Sequence, residues 1–125
     1  MTKRILVIED QEDNRAIMRD LLTGAGFELI EAMNGEEGVK LAQSERPDLI
    51  LMDIQLPIID GYEATRQIRA IDDLKSIPII AVTSYALSGD EAKASAAGCN
   101  GYVAKPFSPR QLLAKVREFL PDEKS

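Results

Sequence analysis

Three runs in this chain, Ile5 to Ile8, Leu49 to Met52 and Ile77 to Val82, are almost unbroken strings of apolar residues, and they restrict its folds more than any other feature. A strand with one face in water alternates apolar and polar residues. Without that alternation both faces must be covered, which is the condition of a parallel sheet held between two layers of helices. Candidate strands are Arg4–Glu9, Phe27–Ala32, Asp48–Asp53, Pro78–Thr83 and Gly101–Lys105. The second is the least apolar and is expected at an edge. None of the runs approaches the roughly 18 residues that a membrane span requires. Lys3 and Arg4 precede an apolar stretch, but Glu9 and Asp10 interrupt it before a signal-peptide core forms. A cytoplasmic location is expected.

Between the strands lie helical patterns with legible starts. Asn34/Glu37, Asp60/Glu63, Ser88/Glu91 and Ser108/Gln111 each place a capping oxygen three residues before Glu or Gln. Pro109 follows Ser108 at the first helical position, where its missing N–H costs nothing. Leu112, Leu113, Val116, Phe119 and Leu120 then make one apolar stripe. The first helix should run from about Asp13 to Thr23 with Ile17, Leu21 and Leu22 inward, ended by Gly24 and Gly26. The helix after Ser88 offers mainly Ala92, Ala94, Ala96 and Ala97, a thin hydrophobic anchor.

Five strands joined by helices in 125 residues predict a single domain over 1–125 of the α/β class, a doubly wound parallel sheet with right-handed crossovers. Such sheets bind ligands beyond the carboxyl ends of their strands. The groups predicted to converge there are Glu9-Asp10, Asp53, Thr83-Ser84 and Lys105-Pro106. Several carboxylates, a hydroxyl and one ammonium suit Mg²⁺ and a phosphoryl oxygen better than an organic substrate. The cation would also relieve repulsion that otherwise raises at least one carboxyl pKa.

Composition removes the competing classes. With 15 Lys+Arg against 21 Asp+Glu the net charge is -6, which disfavours nucleic acid and anionic membrane surfaces as partners. Histidine is absent, so imidazole catalysis within the chain is excluded. The single cysteine, Cys99, reads as a small buried hydrophobe. A chemistry that suits the set is attack by a carboxylate on phosphorus, with a metal neutralising charge and a lysine holding the transferred group. Asp53, closing a buried strand before the turn Leu56-Pro57-Ile58-Ile59-Asp60-Gly61, is the best nucleophile.

Glu9-Asp10, Met52-Asp53 with Pro57 and Asp60-Gly61 following, Thr83-Ser84 and Lys105-Pro106 together resemble the receiver domain of two-component response regulators. The likeness spans the chain and is greatest to stand-alone regulators of the DivK type, since only Pro121 to Ser125 follow the last helix. It implies the CheY-like, flavodoxin-like (βα)5 strand order 2-1-3-4-5, and a phosphorelay protein that catalyses nothing beyond its own aspartyl phosphorylation and dephosphorylation. By that resemblance Asp53 is the phosphoacceptor, loaded from a histidine kinase or phosphotransfer protein in trans. Asp10, Asp53 and the backbone carbonyl of Gln55 hold Mg²⁺, and Glu9 acts through water. Thr83 bonds the phosphoryl group, Lys105 pairs with it, and Tyr102 is the switching aromatic. Output runs through the face of the fourth helix, fifth strand and fifth helix to a protein target. Glu9 stands where the family more commonly has a second aspartate.

Each residue taken singly has a plainer reading. Glu9 and Asp10 suit the N-terminus of a helix, Asp53 an Asx turn, Thr83 a strand, Lys105 a loop, and Tyr102 a half-buried strand position. Convergence is what favours function. A small-molecule phosphatase with an aspartyl nucleophile is disfavoured because no second Asp stands two residues beyond Asp53. A nucleotide or flavin protein is disfavoured because no GxxxxGK[ST] or GxGxxG stands at a strand end. A receiver that only binds is disfavoured because all five site positions keep competent side chains.

Overall fold

The computed structural model describes residues 2–83 and 90–120. Ser84, Ser88 and the segment from Pro121 to Ser125, all weighed above, lie outside the described residues. In chain order the elements are β1 Arg4–Ile8, α1 Glu12–Gly24, β2 Glu28–Ala32, α2 Gly35–Glu45 and β3 Leu49–Asp53. Then follow α3 Gly61–Arg69, a 3-10 turn Asp72–Leu74, β4 Ile79–Thr83, α4 Asp90–Ala97, β5 Gly101–Ala104 and α5 Pro109–Phe119. The strands form one parallel sheet in the order β2-β1-β3-β4-β5. This is the flavodoxin-like arrangement expected, with the less apolar β2 at one edge.

The period-two geometry of a strand explains the unbroken apolar runs. Leu6, Ile8, Ile50, Met52, Ile79 and Ala81 face one layer, where they pack on Ala42, Ala64, Ile68 and Ala94 from α2, α3 and α4. Their neighbours Ile5, Val7, Leu49, Leu51, Ile80 and Val82 face the other, against Met18 and Leu22 of α1 and Leu112, Val116 and Leu120 of α5. Both faces are dry, so every position must be apolar.

Most helix starts are as expected. Ser108 and Gln111 form a full capping box with Pro109 in the first turn. Asn34 and Asp60 accept from the backbone N–H of Glu37 and Glu63. The return bond differs at both: the Glu37 carboxylate takes the N–H of Met33, one residue before the cap, and Glu63 turns to Arg66 and Gln67.

One expectation about α1 needs correction. Ile17 is not inward; it is 57% exposed, and the buried stripe is Arg15, Met18 and Leu22. Ile17–Leu21 and Met18–Leu22 are adjacent i,i+4 rows, and the buried guanidinium of Arg15 turns the helix so that the second row meets the sheet. Leu21 is only partly buried. As expected, Gly24 closes the helix, and Gly26 takes a φ of 97° that side chains rarely adopt. Among the described side chains of α4 only Ala94 and Ala97 are buried, while Ala92 and Ala96 are exposed, so the anchor is thin.

Gly61 decides how the β3–α3 loop lies. A Cβ there would come within 2.7 Å of the Ile54 Cα, and the Gly61 N–H donates to the Ile54 carbonyl at 2.9 Å. The loop therefore folds back onto the end of β3, holding the backbone next to Asp53. Among the described residues no helix is long and apolar enough to cross a membrane.

Candidate functional site

The carboxyl ends of β1, β3, β4 and β5 bring together Glu9, Asp10, Asp53, Thr83 and Lys105. The carboxylates of Glu9, Asp10 and Asp53 lie within 4.8 Å of one another; Glu9 and Asp53 are buried and Asp10 is exposed. Lys105, just past β5, places its ammonium 3.0 Å from Glu9 Oε1 and 3.3 Å from Asp53 Oδ2. Its backbone N–H donates to the Thr83 carbonyl at 2.7 Å, which ties the lysine loop to the end of β4.

Backbone donors fix the acids from below. Asp53 Oδ1 accepts the Gln55 N–H at 3.0 Å, an Asx turn in form, while Glu9 Oε2 accepts the Gln11 N–H at 3.2 Å. Thr83 is buried at the end of β4, and the Gln55 carboxamide donates to its hydroxyl at 2.7 Å. Tyr102 pairs in register with Ala81 and packs, partly buried, on the α3–α4 layer rather than in the acid cluster.

The electrostatics follow from crowding. Burial, then the hydrogen bond and charge of Glu9, push Asp53 up to about 7, against the opposing pull of Lys105 and the Gln55 N–H. Burial also works to raise Glu9, but its hydrogen bonds to Asp53, Lys105 and Gln11 prevail and hold it below the usual carboxylate range. Of the buried pair, Asp53 is the acid whose ionisation burial and Glu9 oppose. Asp10 is raised by burial and by Glu9. Lys105 is raised because Asp53 and Glu9 outweigh its own burial. Such a set is short of positive charge, and its oxygens are hard donors. Both properties fit Mg²⁺.

The glutamate at position 9 has a visible consequence. Its side chain spans to Lys105 and lies against Asp53, so it both seats the lysine and crowds the Asp53 carboxylate. Arg15 is a supporting residue that sequence reasoning missed: buried in α1, it donates to the Glu9 carbonyl at 2.8 Å and pairs with Glu12 and Glu31. An arginine on an amphipathic helix carries no signal of this kind, because the partner is a backbone oxygen. The Gln55 side chain was missed as well, since only its carbonyl had been assigned a role.

Beside Lys105 opens a groove of about 430 Å³ lined by Asn14, Ile17, Met18, Lys105, Pro106 and Phe107. The exposed Ile17 of α1 forms part of its wall.

Known proteins resemble this chain over nearly its whole length. The response regulator receiver domain profile matches residues 5–117. The polar-differentiation response regulator DivK of Brucella anthropi is 43% identical over 98% of this chain and 99% of its own. A receiver domain of the sensor histidine kinase PA1611 from Pseudomonas aeruginosa PAO1, solved with a magnesium ion coordinated in its active-site cleft, superposes with a TM-score of 0.90 at 37% identity. The match covers 98% of this chain and 100% of that one. A co-crystal of the Saccharomyces cerevisiae phosphotransfer protein Ypd1 with the receiver domain of Ssk1 gives a TM-score of 0.87 at 31% identity, over 94% of this chain and 88% of that one.

Proposed function

Because the chain belongs to the response regulator receiver family, we propose that Asp53 is where it accepts its phosphoryl group. A receiver is a signalling component of a phosphorelay, and receivers take their phosphoryl group from histidine kinases or phosphotransfer proteins. The observation that carries the assignment is the convergence of Glu9, Asp10 and Asp53 with Lys105 at the strand ends.

In this reading an Asp53 carboxylate oxygen attacks the phosphorus of a phosphohistidine on the partner. The new O–P bond forms as the N–P bond breaks, and the leaving imidazole takes up a proton. Asp10, Asp53 and the Gln55 carbonyl would hold Mg²⁺, with Glu9 acting through water. A cation there would supply charge neutralisation for the crowded carboxylates and the phosphoryl oxygens. Lys105, already between Glu9 and Asp53, is placed to pair with the transferred group, and the Thr83 hydroxyl to hydrogen-bond it. The chain needs no histidine of its own, because the donor brings one. It catalyses only the loading and unloading of its own aspartate.

The donor protein docks over the groove at Ile17 and Phe107, since Lys105 lines both that groove and the acid cluster and a donor histidine must arrive there. A cytoplasmic location accords with such a donor. That the DivK relative matches along 99% of its length supports a single receiver that signals through its own surface. The output surface we assign is the α4–β5–α5 face, where the thin Ala94/Ala97 anchor lets α4 shift at small cost and Tyr102 is only partly buried.

Acetyl phosphate tests the assignment without a cognate kinase. The wild type in Mg²⁺ is expected to gain one phosphoryl group by intact mass, and Asp53→Asn to gain none, because an amide is no nucleophile. Undiminished labelling of the folded variant would sink the assignment.

A further inference from the structure

Arg15 is a guanidinium buried in α1 with every nitrogen in use. Nη1 donates to the Glu9 carbonyl at 2.8 Å, Nη2 pairs with Glu12, and Nε lies 3.5 Å from Glu31 Oε1. The rigid fork is thus anchored by one acid of its own helix and one of β2, with its remaining arm aimed at the end of β1. Among the described residues no other group donates to that carbonyl. The oxygen belongs to the planar peptide unit that joins Glu9 to Asp10. Holding it fixes the plane from which both acids project. The Glu9 carboxylate has further ties, to Lys105 and to the Gln11 N–H. Asp10 is exposed, and the backbone that carries it has most of the task of keeping it within 4.8 Å of Glu9 and Asp53.

We propose that Arg15 is a positioning residue for the metal site, whose hydrogen bond to the Glu9 carbonyl holds the Glu9–Asp10 peptide so that Asp10 is in place to ligate Mg²⁺. The inference rests on the assignment of Asp10 and Asp53 as metal ligands made above. It goes beyond that assignment by placing control of metal affinity on a helix side chain that pairs with no carboxylate of the cluster. Charge alone gives the opposite sign. A guanidinium this near repels a divalent cation, so deleting it for its charge would tighten binding. Losing it as a support weakens binding, by about tenfold, as loss of an outer partner of a metal ligand does. Arg19 supplies the comparison, because it pairs with the same Glu12 and Glu31, at 3.3 and 2.8 Å, and donates nothing to Glu9.

Titration with magnesium chloride, followed by NMR amide shifts, reads the affinity without any phosphorylation. Arg15→Met, which keeps an unbranched stem and removes the donors, is expected to bind Mg²⁺ about tenfold more weakly than the wild type. Arg19→Met should bind no more weakly than the wild type. Arg15→Lys keeps the charge, but one shorter ammonium cannot serve the Glu9 carbonyl and two carboxylates together. It too should bind more weakly, and it carries the test if Arg15→Met does not fold. Equal or tighter binding by either Arg15 variant, or a comparable loss in Arg19→Met, overturns the proposal. A wild type that binds no Mg²⁺, or an Asp10→Asn variant that binds it as the wild type does, overturns instead the assignment of the metal ligands.

Discussion

Metal-free protein carrying Asp53→Asn is expected to be more stable than the wild type near neutral pH, and to lose that advantage in acid. In the wild type the folded state keeps a proton on Asp53 up to about 7, while an unfolded chain releases it near the ordinary value of 3.8. Across that window the folded state binds more protons than the unfolded one, so stability falls as pH rises. Above about 7 the penalty is complete, and below the ordinary value both states are protonated and it vanishes. The cause is burial first and the neighbouring Glu9 second. An asparagine has no charged form to penalise, and Lys105 keeps its 3.0 Å contact with Glu9. The gain at about pH 8 should be on the order of 2 kcal/mol. Glu9 acts in the other direction: its pKa is lowered, so its contribution is lost only as pH falls below the usual carboxylate range. Urea titrations in a chelator across this range decide the matter. Parallel curves for variant and wild type would mean that Asp53 ionises in the fold at no cost.

Asp10→Asn should separate metal binding from folding. Mg²⁺ at a hundred times its dissociation constant stabilises a protein that binds it only when folded by about 2.7 kcal/mol. If Asp10 is a ligand as proposed, its removal is expected to weaken binding by about 100-fold and so erase most of that shift. The metal-free variant should be at least as stable as the wild type, because burial and Glu9 already work against ionisation of Asp10. Thermal melts with and without Mg²⁺ give both readings. If the variant melts lower without metal and keeps the full Mg²⁺ shift, Asp10 is a structural residue.

Much of this was legible in the residues for physical reasons. Unbroken apolar runs can only be strands covered on both faces, and Leu49–Met52 divides between two cores as that argument requires. Caps are read from one side chain and one backbone N–H, so Asn34, Asp60 and Ser108 were found; where the return bond lands depends on the chain before the cap, and at Asn34 it reached Met33. The inward face of α1 was misjudged because two aliphatic rows lie side by side. Tertiary contacts of Arg15 with the Glu9 carbonyl and with Glu31 chose between them. The site was legible because strand ends in such a sheet converge whatever lies between them in sequence. Hydrogen bonds from helix or loop side chains to the site, those of Arg15 and Gln55, were not, since nothing in their spacing distinguishes them from solvated residues.

The central claim is that phosphorus is bonded to the carboxylate of Asp53 and to no other acid of the cluster. Borohydride reduces an aspartyl phosphate to homoserine but leaves free carboxylates unchanged, so treatment of the Mg²⁺-loaded, acetyl phosphate-labelled protein followed by peptide mass mapping reads the position directly. Homoserine at position 53, with Glu9 and Asp10 unaltered and no conversion when Mg²⁺ is withheld, is the predicted result. Conversion at Asp10, or a reduced residue outside the cluster with Asp53 intact, would contradict it.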